Sequence, residues 1–221
     1  MTPAAGPEQL LGRAIVDNWP APLRIHRAHS HLFGSAQFDE RSGIDHRFST
    51  IAVRGSVVPV LYGGETDEAT ASETIFHTVD TPDGQHRPRR VSLSKYASWQ
   101  WSEVVTTRDL ALIRLAKDGP EALGATRAEL ILGGRESYQR TRAWAQSLAA
   151  AVPEADGMWW ESRQSPGRWA VILFGPLTGR GGGVAQGELT ADGPALPFRS
   201  AAGLARLDEI ADRLEITVVR D

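Results

Sequence analysis

Glu73 is the acidic residue whose surroundings in this sequence are most informative. Ala69, Glu73 and Phe76 recur at i, i+4 and i+7 in a segment that predicts a helix, which places the carboxylate on an apolar face. Burying a carboxylate costs several kcal/mol unless a cation or hydrogen-bond donors compensate. A second interpretation is open as well, because Thr70 and Glu73 have the spacing of a capping box that only closes the start of a helix. Glu73 is therefore either a cap or a carboxylate that needs a partner.

Two arginines and a tyrosine upstream of this helix are candidate binding groups. Arg27 and Arg47 lie in polar sequence of little periodicity, and guanidinium groups are well shaped to clamp a pyrophosphate or to pair with a buried carboxylate. Solvated surface arginine is the alternative, because arginine is abundant in this chain. Tyr62 ends an apolar run before a Gly-Gly pair, so its ring either stacks on a flat ligand or packs in the core.

Three closely spaced histidines raise the question of a metal site. His26, His29 and His31 form the pattern H-x-x-H-x-H, and imidazole is a frequent ligand of zinc and iron. On a strand, His29 and His31 share a face whereas His26 points the other way, and no carboxylate ligand accompanies them. We therefore predict that no metal is bound, and keep a metal-dependent hydrolase that uses this cluster as an alternative.

The hydrophobic pattern predicts interspersed strands and helices, and hence a mixed α/β, or α+β, class. One helix is expected to be capped by Asp67, and Ser162 is expected near the end of the first strand of a β-hairpin. Residues 1–22 form a weakly helical N-terminal lead-in to a single domain at 23–221, with a basic turn at 81–90 and a glycine-rich loop at 175–187. The predicted strands are residues 23–27, 57–62, 110–115, 157–161, 169–174 and 216–219, and the other predicted helices are 136–152 and 201–213.

Composition excludes several classes of function. The chain has 221 residues, 41% of them hydrophobic, and a net charge of −3, which provides no strong basic field for nucleic acid or acidic membranes. It has no cysteine, which excludes a disulfide framework, a thiolate nucleophile and cysteine-bound metal. The first residues lack the pattern of a signal peptide and no segment is long enough to span a bilayer, so a cytoplasmic protein is expected.

The chain contains, in this order, Arg27, residues 46–48 and 60–62, Ala71-x-Glu73 with Phe76-His77, and residues 156–163. Taken together, these pieces resemble the RES-domain family in order and spacing over roughly residues 23–174. Two departures are visible: Asp45 and His46 precede Arg47 where many members have a Gly-Gly pair, and Arg24 competes with Arg27 for the role of the first arginine. The triplet Arg135-Glu136-Ser137 is a coincidence, because the Arg, Glu and Ser of the family are dispersed.

The resemblance implies a fold like that of ADP-ribosyltransferases and a catalytic domain that degrades NAD+. Members cleave the nicotinamide–ribose bond by phosphorolysis or hydrolysis. Glu73, Ser162 and Arg47 would then be the catalytic residues, with Glu73 stabilising positive charge on the ribose and Ser162 orienting the substrate. Arg27 and Arg47 would hold the NAD+ phosphates, and Tyr62 would pack on the nicotinamide side.

The resemblance also implies partners. Many members are toxins neutralised by an antitoxin with a helix-turn-helix domain. We expect NAD+ as substrate, inorganic phosphate as co-substrate in the phosphorolytic case, no other cofactor, and no direct contact with nucleic acid or membrane. A non-catalytic nucleotide-binding or regulatory module is the alternative. The sequence leaves open whether phosphate or water is the acceptor, whether NAD+ or another ADP-ribose donor is used, and whether the chain is a monomer or a homo-oligomer.

Overall fold

The computed structural model describes residues 7–41, 46–77, 89–178 and 180–220. The basic turn predicted at 81–90 lies outside these residues except for its last two positions. The strands are β1 (Val16–Trp19), β2 (Arg24–Ser30), β3 (Ala52–Val53), β4 (Ser56–Val57), β5 (Val60–Gly64), β6 (Arg90–Ser92), β7 (Trp99–Thr106), β8 (Leu110–Arg114), β9 (Gly157–Glu161), β10 (Trp169–Phe174), β11 (Leu189–Ala191), β12 (Leu196–Pro197) and β13 (Thr217–Val219). The α-helices are α1 (Pro7–Leu10), α2 (Asp67–Thr74), α3 (Gly119–Ala122), α4 (Tyr138–Ala151) and α5 (Ala201–Arg213).

Most of the strands join one large, twisted mixed sheet. Its order is β1-β8-β9-β10-β5-β2-β7-β11, and β12 also pairs with β7. Neighbouring strands are antiparallel except β8 and β9, which run parallel. The strands β6 and β13 form a separate parallel pair, and β3 and β4 form a small hairpin. The predicted mixed α+β class in a single domain is confirmed.

The helices cover the sheet with apolar side chains. From α4, Trp144 and Leu148 belong to the same buried cluster as Met158 of β9 and Ile172 of β10. A second cluster brings together α5 and the β7 side of the sheet, and a third contains side chains from β2, β5, β7, β8 and β10 together with loop residues. Among the described residues, no helix is long and apolar enough to cross a membrane.

The predicted hairpin forms as expected, whereas the N-terminal prediction is wrong in part. In the hairpin, β9 and β10 pair in antiparallel register from Glu161–Trp169 to Gly157–Leu173. The weakly helical lead-in contains only the four-residue α1, and Val16–Trp19 form β1. Exposed and half-buried residues alternate along β1, which pairs with β8 at the edge of the sheet. This period of two and the pairing with β8 outweigh the weak helical pattern.

The Gly63-Gly64 pair does not end its strand as predicted, because both residues belong to β5. A Cβ atom at Gly63 would lie 2.2 Å from Ile25 Cγ2 and 2.8 Å from the His26 carbonyl oxygen. Glycine at this position therefore allows β5 to approach β2 closely, as glycine does where two backbones meet.

We expect Gly63→Ala to lower the free energy of unfolding by about 1–3 kcal/mol, the usual cost of overpacking a buried site. Chemical denaturation would measure the change. Gly187→Ala is the matched control, because a Cβ atom there meets nothing within 4 Å and should change stability little. Equal stability of the two variants would contradict the close approach of β2 and β5.

Candidate active site

Glu73 lies in the last turn of α2 and does not cap the start of that helix. The N-cap is Thr66, whose hydroxyl accepts a hydrogen bond from the Ala69 amide at 3.1 Å. Thr70 lies inside the helix, where its hydroxyl donates to the His26 carbonyl at 2.9 Å. The predicted cap at Asp67 is also wrong, because Asp67 is the first helical residue and its carboxylate contacts His26 Nδ1 at 3.0 Å. The capping-box interpretation is thereby excluded.

The hairpin provides the partner that Glu73 needs. Ser162 directly follows β9 and is fully buried, and its hydroxyl donates to Glu73 Oε1 at 2.7 Å. Gln164 of the same turn also contacts the segment that follows α2, because its Nε2 donates to the Phe76 carbonyl at 2.7 Å. The Ser165 amide lies 3.3 Å from Ser162 Oγ and donates to it. These contacts fix the orientation of the Ser162 hydroxyl, and with it one oxygen of Glu73.

Arg47 places a positive charge beside Glu73. Its guanidinium is buried, donates from Nη2 to the Gly133 carbonyl at 2.9 Å, and lies 5.4 Å from the centre of the Tyr138 ring. Burial lowers the pKa of Arg47, and the charge of Glu73 opposes that shift. Its Nη1 atom is buried without a hydrogen-bond partner. An unsatisfied buried donor of this kind carries a free-energy cost.

Tyr62 lies on β5 with its phenol turned towards the 48–49 segment. The phenol oxygen accepts from the Phe48 amide at 3.3 Å and from the Ser49 hydroxyl at 2.8 Å. Burial raises the pKa of Tyr62, so the phenol stays protonated at neutral pH. Its ring packs 6.4 Å from the Trp160 ring, centre to centre. Tyr62 therefore packs against the core, and it also lines the cavity described below.

Arg27 is hydrogen-bonded through its guanidinium to backbone carbonyls of the chain. It is 5% exposed, and its guanidinium donates to the carbonyls of Tyr62, Ser35 and Gln37. Burial lowers the pKa of Arg27 to about 9, which still leaves it charged at neutral pH. Arg24, the competing candidate, is half exposed and pairs with Glu103 at 2.7 Å. Of these two arginines, Arg27 is the one that lines the cavity.

A cavity of about 330 Å³ connects several of the predicted residues. Arg27, Tyr62 and Glu73 line it, whereas Arg47 and Ser162 lie behind that wall and are linked to it through Glu73. Sequence reasoning missed other residues of the wall, because most of them come from loops without periodicity, while Ser30 and Trp99 lie at the ends of β2 and β7. The missed lining residues include Ser30, Phe33, Gln37, Asp39, Arg41, His46, Ser49 and Trp99.

The three clustered histidines have separate partners. His26 contacts Asp67, His29 Nε2 contacts the Ser102 hydroxyl at 2.7 Å, and His31 Nδ1 contacts the Ser98 carbonyl at 2.8 Å. Burial and the nearby charge of Arg27 lower the pKa of His29 to about 4. Within the described parts of the chain, no three His, Cys, Asp or Glu side chains are grouped so that they could hold a metal ion.

Two comparisons with known proteins agree with this architecture. The family model described as RES domain matches residues 21–192. The crystal structure of the M. tuberculosis MbcT-MbcA toxin-antitoxin complex contains a chain with the same fold, at a TM-score of 0.58 and 13% sequence identity, covering 93% of this chain and 96% of that chain. No curated protein matches the sequence.

Proposed function

The chain belongs to the RES-domain family, and on that premise we propose that it is a toxin-like enzyme that cleaves the nicotinamide–ribose bond of NAD+. The observation that carries the proposal is the contact between Ser162 Oγ and Glu73 Oε1 at 2.7 Å, with the Arg47 charge beside it, at the wall of a cavity. A carboxylate held in this way is suited to a substrate that becomes positively charged during the reaction.

The proposed chemistry follows from the charge that develops on the ribose. When the C1′–N bond breaks, its electron pair moves onto the nicotinamide ring nitrogen and neutralises the pyridinium, while the ribose becomes oxocarbenium-like. The carboxylate of Glu73 stabilises that cation more in the transition state than in the ground state, which is the condition for catalysis. Ser162 keeps one carboxylate oxygen fixed, so that little reorganisation is needed during the reaction.

The remaining residues of the site have roles in binding NAD+. Tyr62 offers an aromatic wall for the nicotinamide side of the substrate. Arg47 lies behind that wall, and we assign it to phosphate binding through its positive charge. The hydrogen bonds of Arg27 go to backbone carbonyls. We therefore assign Arg27 to phosphate binding through its charge, while its hydrogen bonds shape the loop around Ser35 and Gln37.

The proposal includes a protein partner that inhibits the enzyme. A cytoplasmic enzyme that drains NAD+ harms its own cell unless it is inhibited, and the similar fold in the MbcT-MbcA complex comes from a toxin–antitoxin pair. We propose an antitoxin with a helix-turn-helix domain as the partner of this chain. Covering the cavity that Arg27, Tyr62 and Glu73 line, with Arg47 and Ser162 behind its wall, would keep the substrate out.

Release of free nicotinamide from NAD+ tests the activity. We expect turnover by the purified protein to be unchanged by a chelator, because the described residues offer no grouped metal ligands. Assays with and without inorganic phosphate would identify the acceptor. Loss of turnover on chelation, with recovery on adding zinc or manganese, would favour the metal-hydrolase alternative. Tight binding of NAD+ without any release would favour the non-catalytic module.

We expect Arg47→Ala to act more on KM than on kcat, because the attraction between its charge and the phosphates would persist throughout the reaction. Steady-state kinetics with NAD+ would measure both constants. The exposed Arg199 is the control position, and Arg199→Ala should leave both constants near wild type. A fall in kcat with unchanged KM would contradict a binding role for Arg47.

A further inference from the structure

His46 brings an imidazole into the cavity that holds Glu73. Its ring centre lies 5.6 Å from that of Tyr62 and 5.7 Å from that of His77, and it lines the cavity together with both Tyr62 and Glu73. The proposed mechanism assigns no role to this side chain. An imidazole beside the reacting carbon of a substrate is a common general base, because it exchanges a proton near neutral pH.

Asp39 adds a carboxylate to the cavity that His46 lines. Its carboxylate lines the same cavity and accepts from Arg41 Nη2 at 2.6 Å. Burial disfavours the charged form of Asp39, but its hydrogen bonds with Arg41 and the nearby charges of Arg41 and His46 outweigh burial and lower the pKa of Asp39. A fixed carboxylate near an imidazole stabilises the imidazolium that forms when the imidazole accepts a proton.

The other two imidazoles beside this cavity are less suited to the role. Burial and the nearby charge of Arg27 lower the pKa of His29 to about 4, so this imidazole is a poor proton acceptor near neutral pH. In His77, Nδ1 donates to the Thr74 carbonyl, and burial lowers the pKa of the ring. His77 is also absent from the residues that line the cavity.

We propose that water is the acceptor in this chain and that His46 is the general base that removes its proton, an inference that rests on the proposed cleavage of NAD+. The C1′–N bond breaks and its electron pair goes to nicotinamide. The water oxygen forms the new C1′–O bond, and one water proton passes to the His46 imidazole. The products are nicotinamide, ADP-ribose and a proton that His46 then returns to solvent.

Competition between acceptors tests the role of His46. Azide needs no deprotonation before it attacks C1′, so a missing base should affect water and azide differently. In His46→Ala and in the size-conserving His46→Gln, we expect the formation of ADP-ribose to fall by roughly 10²-fold, the usual contribution of a general base. The formation of ADP-ribosyl azide should stay within about threefold of wild type, because that path uses no base.

The outcomes separate this inference from the proposed function. His29→Asn is the matched control, because it also changes an imidazole of the cavity wall but should keep the wild-type ratio of the two products. Equal losses with water and azide in both His46 variants would overturn the assignment of His46. Turnover of the wild type only in the presence of inorganic phosphate would overturn water as the acceptor. If the wild type releases no nicotinamide with any acceptor, the proposed function itself fails.

Discussion

Glu73→Gln is expected to lower the rate of NAD+ cleavage by roughly 10²–10³-fold, the loss seen when a fixed electrostatic stabiliser is removed from a transition state. Glutamine has nearly the same size, and its amide oxygen is still able to accept the hydrogen bond from Ser162. The packing should therefore stay intact, while the negative charge that opposes the forming ribose cation is lost. Nicotinamide release under saturating NAD+ would measure the change in kcat.

The chain offers a closely matched control for this variant. Glu68 lies on the same helix, and its Oε1 accepts from the Ser165 hydroxyl of the same hairpin turn at 2.8 Å. Glu68→Gln therefore makes the same chemical change in a similar contact away from the cavity wall. We expect it to retain near wild-type activity. If both folded variants cleave NAD+ at near wild-type rates, Glu73 has no role in the mechanism. If both lose activity to the same extent, the loss indicates a structural effect.

Expression of the chain alone should arrest bacterial growth and deplete cellular NAD+, because the proposed reaction consumes a cofactor that central metabolism requires. Co-expression of a neighbouring gene that encodes the antitoxin should restore both growth and the cellular level of NAD+. Counting viable cells and measuring NAD+ in the same cultures would test both expectations together.

The Glu73→Gln protein is the control for this experiment, since it should accumulate to the same level without arresting growth. Harmless expression of the folded wild type, with cellular NAD+ unchanged, would argue against the role as a toxin. Growth arrest that persists with Glu73→Gln would show that toxicity has a cause other than the proposed chemistry.

Local sequence patterns predicted part of the fold, namely the strands β2, β5, β8, β9, β10 and β13 and the helices α2, α4 and α5, whereas β7 and the short strands were missed. The predicted bounds of β9, β10 and the helix α5 equal the observed ones. The errors occur where tertiary contacts decide the outcome. Gly63 continues a strand because β2 packs too close for a side chain. The start of α2 shifted because Thr66 provides the cap and Thr70 instead donates to the β2 backbone.

The candidate site was predicted only in part. Family resemblance selected Glu73 and Ser162, which are 89 residues apart in sequence and in direct contact in the structure. Local patterns contain no information about such a contact. The carbonyl partners of Arg27 depend on how the loop at 34–37 folds back on β2. His46 and Asp39 line the same cavity, and their positions also depend on loops that come together only in the folded chain.

The products formed from NAD+ test the central claim most directly, because they identify the bond that breaks. Purified protein would be incubated with NAD+, and nicotinamide, nicotinamide mononucleotide, AMP and ADP-ribose species would be quantified over time. The account predicts one free nicotinamide for each NAD+ lost, matched by ADP-ribose or its phosphorylated form. Intact NAD+ in the presence of the folded protein, or cleavage to AMP and nicotinamide mononucleotide, would contradict it.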